Sequence, residues 1–250
     1  MKAVVLNLVR RPERLSRFMA WNGGHDLDFQ VVAAVDGAGM DRAGLMAEGL
    51  LDRDNAMFSD GALGNALSHR AQWQAVVAEG ASRLICEDDA CLHGGLTHLL
   101  PGLARVLDRA DILFLGYNTN APLALTLPEG MVMESYFGWQ NESSDFHAAF
   151  AASARRAKPA LHPVRAVWGT IAYVVSPAGA QRLLTWCFPL SVRRGRIRFA
   201  QARRHVRPRA LDGMINLALQ GGHAQGVACL PPLALSPNDA SDVVTAFPCP

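Results

Sequence analysis

The stretch "LICEDDACL", residues 84–92, sets three carboxylates between two short apolar runs. The run "SRLIC", residues 82–86, has the length and composition of a buried strand, so Glu87, Asp88 and Asp89 are expected at the end of that strand and not on a solvated face. In an extended segment alternate side chains share a side, which would point Glu87 and Asp89 together and turn Asp88 away. Negative charges beside a core need a partner or a ligand of opposite charge. This stretch is therefore the first candidate for a functional site.

Strand and helix patterns alternate on both sides of these carboxylates. A helix is expected from Ser59 or Asp60 to Glu79, with Gly80 as its stop. The alternation predicts an α/β fold with a mainly parallel sheet flanked by helices, and in such sheets ligands bind beyond the carboxyl ends of the strands. The other segments are the strands "KAVVLNL" (2–8), "FQVVAAVDG" (29–37) and "DILFLGYN" (111–118), a helix over 95–110, and a strand, turn and helix in "VWGTIAYVVSPAGAQRLLTW" (167–186).

Composition and charge narrow the class of protein. The chain has 250 residues, of which 50% are hydrophobic, and a net charge of +2, so it is not a general polyanion binder. Its five cysteines are scattered without C-x-x-C spacing, which fits reduced thiols inside a cell. No stretch approaches the ~18 to 20 apolar residues of a membrane span, and the N-terminus resembles a strand and not a signal peptide. We expect a cytoplasmic protein, with contact to the inner face of a membrane left open.

The carboxylates suit a hard metal ion. Carboxylate oxygens bind Mg²⁺ or Mn²⁺, and a cation held by one or two of them can bridge to the phosphates of a nucleotide. The D-x-D arrangement of nucleotide-sugar transferases uses one acidic group near the ribose and another on the metal. The triplet alone does not decide the function, because acidic residues also cap helices and fill turns.

Several segments together resemble glycosyltransferase family 25, which contains bacterial lipooligosaccharide glycosyltransferases and the collagen hydroxylysine galactosyltransferases. The resemblance covers roughly residues 3 to 220 and implies a GT-A type, Rossmann-like fold in a single domain over 1–250. The nucleotide-sugar half would lie at about 1–118, and the acceptor-side and late catalytic elements at about 119–250. The matching segments, in family order, are "NLVRRPERLSRF", "AVDG", "GALGNALSHRAQW", "LICEDDACL", "DILFLGYN", "WGTIAYVVSPAGAQRLL" and "ALDGMINLAL".

This resemblance implies a metal-dependent, inverting glycosyltransferase of lipopolysaccharide biosynthesis. The donor would be a UDP-sugar, such as UDP-galactose, the acceptor a glycan such as lipooligosaccharide, and the cofactor Mn²⁺ or Mg²⁺. Glu87 and Asp89 match the metal motif, and Asp212 matches the catalytic base or else a second metal ligand, with a helix cap as the structural alternative. The donor-binding positions that follow from the match are Asn7, Arg10, Arg14, Asp36, Gly37, Ser68, His69, Glu87, Asp88, Gly169 and Thr170.

Two departures from the family pattern keep an alternative open. Ala62 and Asn65 stand where the family usually has a glutamate and a cysteine. A different sugar, a lower activity, or a degenerate module that binds a nucleotide or glycan without turnover would each be consistent with them. His69 could instead be a packing residue, while Tyr173 and Trp168 are expected in the core and not as sugar platforms.

The segment "RRGRIRFAQARRHVRPR", residues 193–209, is the strongest local charge feature. Such a run is most often a solvated surface or a mobile loop. Its functional interpretation is attraction of an anionic acceptor through Arg203, Arg204 and Arg207, or contact with acidic lipid headgroups. Nucleic acid is the competing partner, but only Phe199 interrupts the arginines, so no base-stacking set accompanies them and no nucleic acid is expected.

Overall fold

The computed structural model of the chain describes residues 1–137, 143–153, 158–199 and 205–237. The strands are β1 (Lys2–Asn7), β2 (Phe29–Ala33), β3 (Arg83–Glu87), β4 (Cys91–Leu92), β5 (Ile112–Gly116), β6 (Leu123–Thr126), β7 (Val132–Ser135), β8 (Ala160–Ala166), β9 (Ala172–Val175), β10 (Ile197–Arg198), β11 (His205–Val206), β12 (Gly226–Leu230) and β13 (Ala234–Leu235). The helices are α1 (Pro12–Asn22), α2 (Arg42–Ala47), α3 (Asp60–Glu79), α4 (Leu96–Leu103), α5 (Ser144–Ala151), α6 (Pro177–Cys187) and α7 (Leu211–Gln220).

A large mixed sheet forms the centre of the described chain, in the order β2-β1-β3-β9-β5-β12-β8-β6-β7. Strand β1 pairs in parallel with both β2 and β3, and β5 pairs in parallel with β12. Strand β9 lies antiparallel between β3 and β5, and β8 is antiparallel to β12 and β6. Most strands of this path share one direction, and helices flank the sheet. The predicted α/β class with a Rossmann-like sheet is confirmed, and β9 is an antiparallel insertion that the alternation did not predict.

Local signals place the long helix α3 where the sequence predicts it. The Ser59 side chain accepts a hydrogen bond from the backbone of Ala62, and Gly80 ends the helix with φ 64°. The predicted single helix over 95–110 is divided: α4 is followed by a 3-10 helix, Ala104–Asp108, and Pro101 lies inside α4. No helix in the described ranges is long and apolar enough to cross a membrane.

The core lies on both faces of the sheet because residues of one strand alternate between them. In β1, Val4 packs in a cluster with Trp73 of α3, whereas Val5 packs in the opposite cluster with Phe18 of α1. All five residues of β5 are buried. Strand β3 runs through this core, so the polar residues after it emerge at the edge of the sheet, where β1 also ends.

Candidate functional site

The acidic stretch forms a tight turn at the end of β3. The strand ends at Glu87, and the backbone N–H of Ala90 donates to the Glu87 carbonyl at 3.1 Å. Arg14 Nη2 lies 2.6 Å from Asp88 Oδ1 and 3.2 Å from Asp89 Oδ2. The prediction that Asp88 turns away from Asp89 was wrong, because strand alternation ends with the strand and one guanidinium bridges the two carboxylates.

The N-terminal elements hold Asp88 from its other side. Asn7, at the end of β1, donates from Nδ2 to Asp88 Oδ2 at 2.7 Å and to the Arg11 carbonyl at 3.1 Å. Burial raises the pKa of Asp88 above its ordinary value, although Arg14 and Asn7 act in the opposite direction. Of the predicted donor-binding residues, Asn7 and Arg14 therefore meet the acidic turn itself.

Asp89 has one satisfied and one unsatisfied carboxylate oxygen. Ser236, just after β13, donates to its Oδ2 at 3.1 Å. Its Oδ1 is buried and has no hydrogen-bond partner in the part of the chain that the structure describes. Burial and the charge of Glu87 raise the pKa of Asp89 to about 7, against the effect of Arg14. The protein alone thus leaves this carboxylate short of positive charge.

Glu87 is held by three donors on a single oxygen. Asn65 Nδ2 donates to Glu87 Oε1 at 3.1 Å, His69 Nε2 lies 3.2 Å from the same atom, and the Thr170 hydroxyl also donates to it. Burial alone would raise the pKa of Glu87, but the interactions with His69, Thr170 and Asn65 together outweigh it and lower the pKa. Glu87 is consequently a carboxylate at neutral pH, and Asn65, one of the two departures from the family pattern, is one of its partners.

Ser68 and His69 lie beneath this edge, inside the protein. The Ser68 hydroxyl accepts from the Val35 backbone N–H at 2.8 Å and donates to the Gly64 carbonyl at 2.7 Å, which fixes the chain after β2 on α3. His69 is fully buried, and its Nδ1 lies 2.8 Å from the hydroxyl of Tyr173. His69 therefore reaches the site through Glu87.

Helix α7 brings Asp212 to the loop before β9. The backbone N–H of Gly169 donates to Asp212 Oδ2 at 2.9 Å, and that of Gly213 donates to Oδ1 at 2.6 Å. One turn later on α7, Asn216 Oδ1 accepts from the Val167 backbone N–H at 2.8 Å. Two side chains of one helix thus fix the loop 167–169.

Asp212 and Glu87 are near enough to affect each other. Burial raises the pKa of Asp212, and the negative charge of Glu87 raises it further. Gly169, which bonds Asp212, has φ 82°, and a Cβ there would lie 2.5 Å from Asn118 Oδ1. This loop needs glycine both for its conformation and for its space.

The rim of the site, by which we mean the residues that follow β1 and β2, contains Arg10, Asp36 and Gly37. Arg10 Nε donates to Asp36 Oδ2 at 2.8 Å, and the two side chains are 46% and 41% exposed. Gly37 packs so tightly that a Cβ would overlap the Asp60 carbonyl at the start of α3. This rim is solvated, so the roles of these residues toward a donor remain predictions.

The arginine segment has both structural and exposed members. Arg194 donates to the carbonyls of Trp186 and Phe188, and Arg193 lies 3.1 Å from Asp54. Arg207 is exposed between β11 and α7. The other two predicted acceptor-binding residues, Arg203 and Arg204, lie outside the described residues.

The carboxylate oxygens at this site fit a divalent cation whose remaining ligands come from a bound nucleotide and water. Within the described ranges, no three His, Cys, Asp or Glu side chains form a metal-binding group. Mg²⁺ sites that serve nucleotides commonly use one or two carboxylates and complete the shell with phosphate oxygens and water. The unsatisfied Oδ1 of Asp89 fits such a site, whereas Oε1 of Glu87 is already occupied by protein donors.

Sequence reasoning missed residues that join distant parts of the chain. Asn22, at the end of α1, donates to the Ala90 carbonyl at 2.8 Å and accepts from the Leu92 N–H at 2.9 Å, which clamps the chain after the acidic turn. Ser236 meets Asp89 from 147 positions away. Neither residue lies in a motif, so no local signal could have identified it.

The comparisons with known proteins agree on one family. A sequence model described as glycosyltransferase family 25 (LPS biosynthesis protein) matches residues 1–193, which include the acidic turn but neither Asp212 nor Ser236. The human "Inactive glycosyltransferase 25 family member 3" is 29% identical over 150 residues, which cover 54% of this chain and 25% of that protein. The mouse protein of the same name is 28% identical over 195 residues, 72% of this chain and 28% of its own length.

A third relative extends the same pattern. The rat "Probable inactive glycosyltransferase 25 family member 3" is 27% identical over 195 residues, 72% of this chain and 29% of that protein. The chain thus spans between a quarter and three tenths of the length of these relatives. Because the family match extends over residues 1–193 of 250, the chain belongs to glycosyltransferase family 25.

Proposed function

We propose that this chain transfers a hexose, galactose being the first candidate, from a UDP-sugar to a glycan acceptor with inversion at the anomeric carbon. The observation that carries the proposal is the buried Oδ1 of Asp89, which has no hydrogen-bond partner among the described residues and lies beside Glu87 and Asp88 at the carboxyl end of β3. Ligands of open α/β sheets bind at such strand ends. Family membership supports the reaction class.

A divalent cation, Mn²⁺ or Mg²⁺, would be held by Asp89, with Glu87 as the second candidate ligand. When bound, it would neutralise negative charge on the departing diphosphate. Asn7 and Arg14 hold the carboxylates that face it, through the bonds to Asp88 and Asp89. We assign donor contacts also to Arg10, Asp36, Gly37, Asp88, Gly169 and Thr170. The buried Ser68 and His69 would support the donor site from beneath, through the residues that they hold.

Asp212 is our candidate for the general base. An acceptor hydroxyl would attack the anomeric carbon, the bond from that carbon to the diphosphate oxygen would break, and the hydroxyl proton would pass to the Asp212 carboxylate. The two backbone N–H groups on Asp212 orient it. The alternative role, a second ligand of the cation, uses the same carboxylate, and Asp212→Asn distinguishes the two.

The acceptor side would lie near α7 and the segment 193–209. Arg207 is exposed five residues before Asp212, and with Arg203 and Arg204 it would attract an anionic glycan or glycolipid. A glycolipid acceptor would bring the protein to the inner face of a membrane as a peripheral protein. Nucleic acid remains the less favoured partner for these arginines.

A second candidate function is a binding module without turnover. The relatives whose names call them inactive support it, as do Ala62 and Asn65 at positions where the family usually has other residues. Such a module would still hold a nucleotide or a glycan at the same strand ends. The difference from an enzyme is turnover, and not binding.

Thermal unfolding with a panel of nucleotides and nucleotide sugars, each with and without Mn²⁺, tests the donor assignment. A ligand that binds only the folded state raises its stability by mass action. We expect UDP and a UDP-hexose to raise Tm more in the presence of Mn²⁺ than in its absence. If no nucleotide raises Tm under either condition, the assignment of the strand ends to a nucleotide sugar is wrong.

A further inference from the structure

A line of three buried side chains reaches Glu87 from the core beneath it. Trp73 Nε1 lies 2.8 Å from the hydroxyl of Tyr173, and that hydroxyl lies 2.8 Å from His69 Nδ1. His69 Nε2 lies 3.2 Å from Glu87 Oε1. Trp73, Tyr173 and His69 have no exposed surface. Their contacts with one another are consequently fixed by the fold.

The protons in this line can be placed from the chemistry of its ends. An indole N–H only donates, so Trp73 must donate to the oxygen of Tyr173. The hydroxyl proton of Tyr173 is then free to be donated to His69 Nδ1. If Nδ1 is unprotonated, the ring proton is on Nε2. Nε2 then donates to Glu87, because a carboxylate can only accept. With the ring protons placed in this way, every polar group in the line has a hydrogen-bond partner.

The opposite arrangement leaves a buried donor without an acceptor. If Nδ1 of His69 carried a proton, the oxygen of Tyr173 would receive both that proton and the one from Trp73. The Tyr173 hydroxyl proton would then lack an acceptor among the described residues. Buried donors are rarely left unpaired, so the line has one direction, from Trp73 to Glu87.

The line ends on an oxygen that two further donors also reach. Asn65 Nδ2 and the Thr170 hydroxyl donate to the same Oε1 of Glu87. No described residue forms a hydrogen bond to Oε2, and the Glu87 side chain is 22% exposed. The carboxylate is therefore saturated on the oxygen that faces the protein and unpaired on the other.

We propose that Trp73, Tyr173 and His69 form a one-way hydrogen-bond relay that holds Glu87 in a single orientation and presents its Oε2 to the bound ligand. The three are positioning residues, since they act through Glu87. An acceptor-only oxygen at this edge suits a ligand hydroxyl, as the ribose and the hexose of a nucleotide sugar both offer. This part of the proposal rests on the proposed function, whereas the relay itself does not.

The ring nitrogens of His69 test the relay without any ligand. The ¹⁵N chemical shifts of histidine distinguish a bare Nδ1 with a protonated Nε2 from the other neutral form and from the imidazolium. The His69 signals are assigned by their loss from the spectrum of His69→Gln. We expect a bare Nδ1 and a protonated Nε2 at pH 7. A protonated Nδ1, in either remaining form, would overturn the relay.

Paired variants test what the relay does for the ligand. Tyr173→Phe removes the middle hydroxyl, and Tyr117→Phe is its control, because the buried Tyr117 hydroxyl donates elsewhere, to the Cys229 carbonyl at 2.9 Å. Loosening the orientation of Glu87 should weaken its charge-assisted bond to the ligand, and loss of such a bond corresponds to a rise of about 10-fold in Kd. We expect that rise for UDP-galactose with Mn²⁺ in Tyr173→Phe and little change in Tyr117→Phe. Equal changes in the two variants would overturn the positioning role.

A second pair keeps the proposal falsifiable if the tyrosine variant unfolds. His69→Gln retains an N–H that can reach Glu87, whereas His69→Leu has similar volume and no donor. Affinity for UDP-galactose should be largely retained in His69→Gln and lost in His69→Leu. Equal loss in both variants would mean that His69 only packs in the core. A wild-type protein that binds no UDP-sugar would overturn the proposed function and the role of Oε2 together, while the nitrogen shifts decide the relay separately.

Discussion

At the scale of single residues, Asp89 and Glu87 show how position changes the chemistry of one functional group. Glu87 receives three hydrogen bonds and has a lowered pKa. Asp89, two residues later, has a buried oxygen that no described residue bonds, and a pKa raised to about 7. The described residues thus stabilise the charged form of Glu87, whereas Arg14 alone does not offset the burial of Asp89.

The raised pKa of Asp89 predicts how the metal-free protein responds to pH. An ordinary aspartate titrates near 3.9, so between about pH 4 and pH 7 the folded state binds more protons at Asp89 than the unfolded state does. Its contribution to stability therefore falls as pH rises through this range and levels off above pH 7. Asp89→Asn removes this titration. The free energy of unfolding of the variant, relative to that of wild type, should therefore rise by on the order of 2 kcal/mol between pH 5 and pH 8.

Chemical denaturation in the presence of EDTA at several pH values measures this difference. The variant and the wild type should be similar at the acid end, and the variant should be more stable at the alkaline end. A stability difference that is the same at every pH would show that Asp89 does not have the raised pKa that its burial predicts.

Asp212→Asn separates the three roles left open for that residue. The amide keeps the shape and removes the charge, so a pure base should lose ~10² to 10⁴ in transfer rate while binding of the UDP-sugar is retained. Since the pKa of Asp212 is raised, transfer by wild type should also fall at a higher pH than for an ordinary aspartate as the solution is acidified. Loss of Mn²⁺-dependent binding would identify a cation ligand instead, and wild-type turnover with a lower Tm would leave only a structural role at the start of α7.

At the scale of elements, the approach of α3 to the chain after β2 depends on glycine. A Cβ at Gly64 would lie 2.5 Å from the Val35 carbonyl oxygen and 2.7 Å from the Gly37 nitrogen, and neither backbone atom can move cheaply. Gly64→Ala should therefore destabilise the fold by about 1 to 3 kcal/mol, the usual cost of overpacking. Gly102 in α4 is the control, because a Cβ there would meet nothing within 4 Å, and Gly102→Ala should be neutral or stabilising by up to about 1 kcal/mol.

Urea denaturation of both glycine variants checks this pair. Similar free energies of unfolding for Gly64→Ala and Gly102→Ala would mean that α3 does not pack closely against the backbone of Val35 and Gly37. Because Ser68 bonds the same two elements, a loosened α3 should also weaken ligand binding at Glu87.

Elements with local signals could be predicted, and contacts between distant elements could not. The cap at Ser59 and the stop at Gly80 bound α3 as expected, since both signals act within one turn of the chain. The antiparallel β9 depends on its neighbours β3 and β5, and its sequence says nothing of direction. For the same reason the acidic triplet could be identified in the sequence. Ser236, which bonds Asp89, and Asn22, which holds the chain just after the triplet, could not.

At the scale of the whole molecule, the family match ends before the sheet is complete. Strand β12 pairs with both β5 and β8, and it lies with Asp212 and Ser236 beyond residue 193. A fragment of residues 1–193 should therefore fail to unfold cooperatively, because it lacks an internal strand of its sheet. Calorimetry of the fragment beside the full chain checks this, and a cooperative transition in the fragment would contradict the account.

Release of UDP from UDP-galactose and UDP-glucose with Mn²⁺ tests whether the strand-end carboxylates form a working donor site. Many transferases slowly hydrolyse their donor without an acceptor, so the unknown acceptor is not needed. We predict release above the spontaneous rate for the wild-type protein and loss of that release in Asp89→Asn. Binding of UDP-sugars without any release by the wild-type protein would contradict the claim and identify a binding module, as the names of the relatives suggest for those proteins.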